Sequence, residues 1–449
     1  MKKINPSLPK GTRDFGPDEM KKRNYVFNIF KKTFSLFGFN SIETPSLENI
    51  EILNGKYGDE GDKLIFRILN SGEFLKKVDN INNVSSSELK NLISSKGLRY
   101  DLTVPLARFV SSNRENITLP FKRYQIQNVW RADRPQKGRF REFYQCDADV
   151  IGSKSLLNEI ELIQLCDDIF TSLNIPNIQI LINNRKILAA MIELMSASEY
   201  FDQFVIILDK IDKIGVENVK KELIKLGLDI KKINLLDKFL NIKNINDISI
   251  LVNQNELGKK GIEELDFILK SIGSLELKSS ELKFNISLAR GLDYYTGSIF
   301  EVKSSDVKIG SIAGGGRYDD LTSIFGLKDV SGVGISFGID RIYLVMEELG
   351  LFPKDIDISS KVLFLNFGEL EAKYCFKYLK ELRNNNISSE LYPNNDKIKK
   401  QMNYANNKGV QFVVMIGEDE MKSGQLTVKN MSTGEQNEMS ISELIKIIL

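Results

Sequence analysis

The 449-residue chain contains no histidine. That excludes histidine-ligated metals, Ser-His or Cys-His dyads and a histidine general base. Cysteine is scarce too. Cys146, Cys166 and Cys375 lie far apart and form no CxxC, which argues against a disulfide framework or a thiolate zinc site and for a reducing, cytoplasmic setting. Charge of either sign is in little excess: 62 basic and 60 acidic residues leave +2. Any nucleic-acid partner must therefore be met by local basic patches rather than by a global field. No apolar run reaches the roughly 18 residues of a membrane span, and the opening MKKINPSLPKGTRDFGP lacks the apolar segment of a signal peptide, so no membrane contact is expected. What remains for chemistry is carboxylates, Arg, Lys, Tyr and bound metal ions. Such a set suits reactions in which positioning and charge neutralisation dominate, for example attack on a nucleotide phosphate.

With 42% apolar and 27% charged residues the composition is that of an ordinary globular protein of two to four domains. The most informative stretch is 121–152, FKRYQIQNVWRADRPQKGRFREFYQCDADVIG. Apolar and aromatic residues recur at period two at both ends. Pro135 and Gly138 break the middle, which predicts a hairpin. On the returning strand Arg139, Arg141, Phe143, Gln145, Asp147 and Asp149 share one face, and Phe140, Tyr144, Cys146, Ala148 and Val150 share the other. The first face offers two guanidinium groups, a flat ring, an amide and two carboxylates, an array suited to a ligand with phosphate, an aromatic base and an ammonium group. A solvated face with cross-strand salt bridges is the competing reading. The basic loop, with Arg131, Arg134, Lys137, Arg139 and Arg141 opposed only by Asp133, adds weight to the ligand.

Upstream, Pro17 to Phe37 keeps helical spacing of apolar residues and ends at Gly38. GFNSIETPSLENIEIL then reads as a strand, a proline and a short helix. Residues 70–96 are polar, rich in Ser, Asn and Lys, and read as a flexible insertion or a hairpin excursion. In LRYDLTVP, Arg99, Asp101 and Thr103 share a face. A carboxylate beside a hydroxyl could hold an ammonium group, or Thr103 could simply cap a helix. Residues 155–173 read as an amphipathic helix, and about 174–280 as a Lys-, Ile-, Leu- and Asn-rich helical insertion module. Three Gly-rich segments follow: ARGLDYYTGSIFEV, IGSIAGGGRYDDL and SGVGISFGIDR, the last a strand running into a helix with Arg341 in its first turn. None is a P-loop, and GVGISFG has one residue too many for a dinucleotide fingerprint. A bound nucleotide would therefore lie on a sheet surface among arginines, against backbone that glycines leave open. After Pro353, strands alternate with helices and predict a small α/β domain with a largely parallel sheet.

The segments PKGTRDFGPDE, LRYDLTVP, RPQKGRFREFYQ, RGLDYYTG, GGRYD and GVGISFGIDR, in this order, resemble the histidyl-tRNA synthetase family of class II aminoacyl-tRNA synthetases over nearly the whole chain. The resemblance implies a multidomain α/β and α+β fold: an antiparallel class II catalytic sheet in 1–173 and 281–352, interrupted by the helical insertion 174–280, with an α/β anticodon-binding domain in 353–449. It implies ATP and Mg²⁺, histidine and tRNA(His) as ligands, a homodimer, and adenylate formation followed by transfer to tRNA. By the same resemblance, Asp101, Thr103 and Gln145 hold the ammonium group, and Asp149 and Tyr295, with Tyr294 beside them, contact the imidazole. Arg131 and Arg290 act on the α-phosphate as catalytic residues, and Arg290 also meets the substrate carboxylate. Phe143 stacks on adenine, Arg139 lies near the nucleotide, and Arg341 lies near the γ-phosphate. Arg134 and Gln136 approach the tRNA acceptor end, and no protein metal ligand is identifiable. The competing readings are a histidine-sensing paralogue without catalysis and another class II specificity. Retention of Arg131, Arg290, Arg341 and the C-terminal domain opposes the first, and RGLDYYTG opposes the second.

Overall fold

In the computed structural model, residues 4–449 are described except 55–61, 77, 79–82, 243, 290–293, 354, 355 and 357–359. The chain forms two compact units. The smaller is Phe352–Leu449, with Pro17–Lys21 grouping with it, and the larger holds the remainder up to Leu351.

The larger unit is built on an eight-stranded sheet. Its strands are β1 (Asn40–Ser41), β2 (Phe121–Trp130), β3 (Glu142–Ile151), β4 (Ile178–Asn184), β5 (Ser280–Phe284), β6 (Ser298–Ser304), β7 (Ala313–Tyr318) and β8 (Gly332–Gly338), in the order β1-β2-β3-β8-β7-β6-β4-β5. The five central pairings, from β2–β3 through β6–β4, are antiparallel, and the two edge pairings are parallel. The expected hairpin is present: β2 and β3 pair in register from Phe121↔Ile151 to Trp130↔Glu142.

Period-two alternation decides which face is covered. Cys146, Ala148 and Val150 are buried on the apolar face of β3. Helix α1 (Pro17–Leu36) meets the sheet through Phe30 against Phe337 (5.1 Å between ring centres) and Phe34 against Tyr124 (5.0 Å). Phe170, from the helix Leu157–Ser172, packs on Phe337 at 6.1 Å. The opposite face, carrying Gln145, Asp147 and Asp149, is left to polar chemistry.

Three strand and helix expectations are corrected. Ile178–Asn184 lies within the stretch expected to be a helical insertion, yet it is a strand of the central sheet, and the helices begin at Arg185. The sequence NIQILINN alternates too briefly to stand out from its Ile- and Asn-rich surroundings. Residues 70–96 are not merely a flexible excursion. Ser85 accepts from the Glu88 N–H and starts a helix over Ser86–Ile93, a Ser-x-x-Glu beginning hidden in polar composition. In the C-terminal unit, β9 (Val362–Phe364), β10 (Ser389–Leu391), β11 (Phe412–Met415), β12 (Leu426–Asn430) and β13 (Gln436–Met439) pair in the order β10-β9-β11-β12-β13. Only the β10–β9 and β9–β11 pairings are parallel. The second half is antiparallel, so the sheet is mixed rather than largely parallel. Its two faces are covered separately, Val362 and Phe364 packing with Leu379 and Leu444, and Leu363 and Leu365 with Ala405 and Val413.

The larger unit also contains a buried ion pair. Arg317, at the end of the triple-glycine strand, meets Glu159 through Nε and Nη2, both at 2.6 Å, and its Nη1 donates to Ser331 Oγ at 2.7 Å. Glu159 is fully buried. Removing one partner leaves a buried uncompensated charge, so Glu159→Ala should cost about 3–5 kcal/mol, seen as a lowered urea midpoint at unchanged slope. A midpoint within error of wild type would contradict this.

Candidate active site

The site is assembled where β2, β3 and β8 lie side by side. Arg123 on β2 stands opposite Asp149, and Gln125 opposite Asp147. On the other flank, Gly334 of β8 stands opposite Asp149, and Ser336 opposite Asp147. A Cβ at Gly334 would clash with Asp149 Oδ1, so the missing side chain makes the room that this carboxylate fills.

Asp149 is 3% exposed and Arg123 wholly buried. Arg123 Nη2 lies 2.8 Å from Asp149 Oδ2, and the Tyr318 hydroxyl donates to Asp149 Oδ1 at 2.6 Å. Burial raises the Asp149 carboxyl, and Arg123 and Tyr318 oppose that rise. Asp147 is 1% exposed and pushed up to about 7, first by burial and then by Asp149 and Asp101, against the pull of Arg123 and a hydrogen bond from Ser336. The Tyr295 phenol is raised by burial and by Asp149, Asp147 and Asp101, which places all three carboxylates around it. Its ring lies edge-on to Tyr294 at 5.0 Å, and Tyr294 in turn meets Tyr318 at 5.9 Å.

Asp101 approaches from the start of the helix Thr103–Ser112. Its Oδ1 accepts from the Val104 N–H at 3.1 Å, so Asp101 caps this helix and Thr103, the cap that the pattern alone had offered, is its first residue. Asp101 Oδ2 takes the Tyr294 hydroxyl at 3.5 Å. Gln145 joins through its amide, Nε2 donating to Ser336 Oγ at 2.7 Å. The expected residues Asp101, Gln145, Asp149, Tyr294 and Tyr295 are thus brought together, with Thr103 buried beside Asp101. Arg290 lies outside the described residues.

The arginines around the hairpin form a second group. Arg131 is tethered by Nε to the Tyr100 carbonyl at 3.1 Å, and its guanidinium lies 4.2 Å from the Tyr100 ring centre and 5.3 Å from that of Phe143. Arg341 donates from Nε to the Gly138 carbonyl and from Nη1 to that of Ser311, and so ties the hairpin tip to the loop before β7. Arg139 is turned onto Asp133 in a two-point pair, both contacts 2.9 Å, rather than toward Arg131 and Phe143. Arg134 and Gln136 are exposed in the loop, where Gln136 bridges to Arg139.

Three residues with clear places here were missed by the sequence reading as functional, Arg123, Tyr318 and Ser336, while Asp147 was put on the ligand-facing side of its strand without a role of its own. A signal existed for Arg123, because continuing the hairpin register from its loop puts it opposite Asp149. Nothing in the sequence alone pairs Ser336 with Asp147.

A model of the histidyl-tRNA synthetase family matches residues 93–342, and one of the anticodon binding domain matches 361–449. The chain belongs to the histidyl-tRNA synthetase family. It is 53% identical over 447 residues to the histidine–tRNA ligase of Christiangramia forsetii, covering 98% of both chains. It is 50% identical to that of Phocaeicola vulgatus, covering 99% of both. Among solved structures, the histidyl-tRNA synthetase of Nostoc sp. PCC 7120 superposes with a TM-score of 0.81 at 28% identity, covering 100% of both chains. The family assignment and the two-part class II fold therefore agree with the sequence reading.

The Gly334–Asp149 contact gives a direct test of the site. Gly334→Ala should displace the Asp149 carboxylate and lower kcat/KM for the amino acid about 100-fold while leaving the KM for ATP near wild type. Equal losses toward both substrates would mean a general disturbance of the sheet instead.

Proposed function

We propose that the protein activates histidine with ATP and transfers it to tRNA(His). The observation that carries this reading, within a family of histidine-charging enzymes, is that buried Asp147 and Asp149 on one sheet face, with Asp101 from the segment before the helix Thr103–Ser112, gather around Tyr295, and Arg123 pairs with Asp149. Such a face calls for a ligand bearing positive charge and ring N–H groups. A carboxylate and a phenol can together accept from and donate to the two imidazole nitrogens. An apolar analogue would leave these buried groups unpaired, which discriminates strongly.

The substrate carboxylate is already ionised and needs no base. It attacks the α-phosphorus of ATP, a P–O bond forms, and pyrophosphate leaves with the electron pair of the broken bond. A ribose hydroxyl of the tRNA end then attacks the acyl carbonyl, and AMP departs. Bringing anion to anion is the main barrier, and arginines supply fixed, bidentate positive charge for it. In this reading Arg131 and Arg290 serve the α-phosphate, Phe143 the adenine, and Arg341 the γ-phosphate end. Arg139 must exchange Asp133 for the nucleotide if it takes part. Asp101 and Gln145 receive the ammonium group, with Thr103 beside them, and Arg134 and Gln136 meet the acceptor end.

Among the described residues no group of three or more carboxylates or thiols could hold a metal ion. The donors here fit phosphate rather than a cation, so Mg²⁺ would be carried on the β- and γ-phosphates and supply charge neutralisation there. The domain roles we propose are a catalytic core from 1–173 and 281–352, with β4 returned to it from the 174–280 segment, and anticodon recognition by 353–449. We also propose a homodimer working in the cytoplasm; no helix among the described residues is long and apolar enough to cross a membrane.

ATP–pyrophosphate exchange with each of the twenty amino acids tests the reading. Exchange with histidine alone is expected, reduced about 10²–10³-fold in Arg131→Ala. Exchange with another amino acid, or none with histidine, would overturn it.

A further inference from the structure

The opening segment PKGTRDF lies against the root of the β2–β3 hairpin. Its turn closes on itself, the Thr12 N–H and hydroxyl both donating to the Pro9 carbonyl, at 3.1 and 2.8 Å. The Gly11 carbonyl in this turn accepts from the Arg141 N–H at 2.9 Å. Gly11 has a φ of +88°, and a Cβ there would stand 2.9 Å from side-chain carbons of both Arg141 and Pro135. The turn therefore fits against the hairpin loop at a place where glycine is the suited residue. Arg13 adds two contacts. Its guanidinium lies 3.3 Å from the centre of the Phe140 ring, and its Nη2 lies 2.5 Å from Asp340 Oδ1.

Asp340 stands in the first turn of the helix Ile339–Glu348. It also pairs with buried Arg23 at 2.7 Å and accepts from the Tyr144 N–H at 3.3 Å. The next residue, Arg341, holds the Gly138 carbonyl at the hairpin tip. Arg13 thus joins the N-terminal turn, the returning limb of the hairpin and the start of the helix that carries Arg341. The loop needs such outside contacts. β2 ends at Trp130 and β3 begins at Glu142, so residues 131–141 project beyond the ladder of the sheet. Within them Arg131 pairs with Arg141 and Gln136 with Arg139, which gives the loop its shape. A two-stranded ribbon is weakly held by itself, and its direction relative to the helix must come from elsewhere.

Resting on the reading of ATP as the substrate at this hairpin, we propose that Arg13 is a positioning residue for the nucleotide: it sets the loop that carries Arg131 against the helix that carries Arg341. The spacing of the two guanidinium groups proposed for the two ends of the triphosphate follows from that contact. A planar guanidinium makes both contacts at once. Its face covers the Phe140 ring while its edge donates to Asp340. An ammonium group in its place can meet the carboxylate but cannot stack. Alanine loses both contacts and leaves the loop to the Gly11 turn and to Arg341. Asp340 keeps Arg23, and the Arg13 side chain is 29% exposed, so the fold survives the change.

The test is steady-state ATP–pyrophosphate exchange by the full chain, with ATP and histidine varied in turn. Arg13→Ala should lower kcat/KM for ATP about 10- to 100-fold and leave the KM for histidine within about twofold of wild type. The amino-acid side is spared because Gln145, Asp147 and Asp149 stand on the paired part of β3, between β2 and β8. Arg13→Lys should recover part of the loss, since it restores the charge beside Asp340 without the stack. Gly11→Ala pushes on the same loop from the turn and should show the same split between the two substrates. A merely structural role would lower the urea midpoint and the kcat/KM for both substrates together. ATP kinetics within about twofold of wild type in Arg13→Ala, or equal losses toward ATP and histidine, would overturn the proposal. Where Arg13→Ala does not fold, the same two outcomes are read on Gly11→Ala. Wild-type protein that shows no exchange with histidine would instead remove the reading of the substrates, leaving the two failures distinct.

Discussion

Asp101, Asp147 and Asp149 are each buried to within 3% of full exclusion, and Arg123 pairs with Asp149 and lowers Asp147. Carboxylates removed from water are costly unless paired, so the Arg123–Asp149 pair at 2.8 Å is the contact on which this part of the sheet depends. Burial, with Asp149 and Asp101 nearby, pushes Asp147 up to about 7 against the pull of Arg123. The strands around these carboxylates are shaped to hold them in place.

That shaping is visible in the glycines of the central strands. Gly334 leaves the space that Asp149 occupies, and Gly315 lets β7 and β8 approach so closely that any side chain there would strike the Gly334 carbonyl. The paired strands in turn fix Tyr318, whose hydroxyl clamps Asp149, while the neighbouring Arg317 turns the other way into its buried pair with Glu159. One short segment therefore serves the site with one residue and the fold with the next. At the far end of the hairpin, Asp340 accepts from Arg23 at 2.7 Å and from the Tyr144 N–H, and Arg341 holds Gly138. The helix that follows β8 thereby holds the hairpin at its tip and at the start of β3.

Most of this was legible where a periodic pattern ran long enough. The ten-residue strands of the hairpin show their two faces in the sequence, and Asp149, Gln145 and Phe143 were placed correctly from alternation alone. Asp101 was legible as a candidate, but its capping of the next helix was not, because the competing cap Thr103 lies only two residues away. Arg123 and Ser336 escaped because their roles depend on cross-strand register rather than on their own neighbours. The triple glycine could be read as a place of close approach but not as the middle of a strand. β4 and the antiparallel half of the C-terminal sheet were lost for a related reason: short strands acquire their identity from partners distant in the chain.

In the proposed reading the site takes an ammonium group and an imidazole together. Calorimetric titration with histidine, histidinol, phenylalanine and the desamino analogue 3-(imidazol-4-yl)propionate tests it most directly. Binding of histidine and histidinol, with neither phenylalanine nor the desamino compound bound, is the expected result. Binding of the desamino compound as tightly as histidine would contradict it, since Asp101 and Gln145 would then have no part in holding an ammonium group.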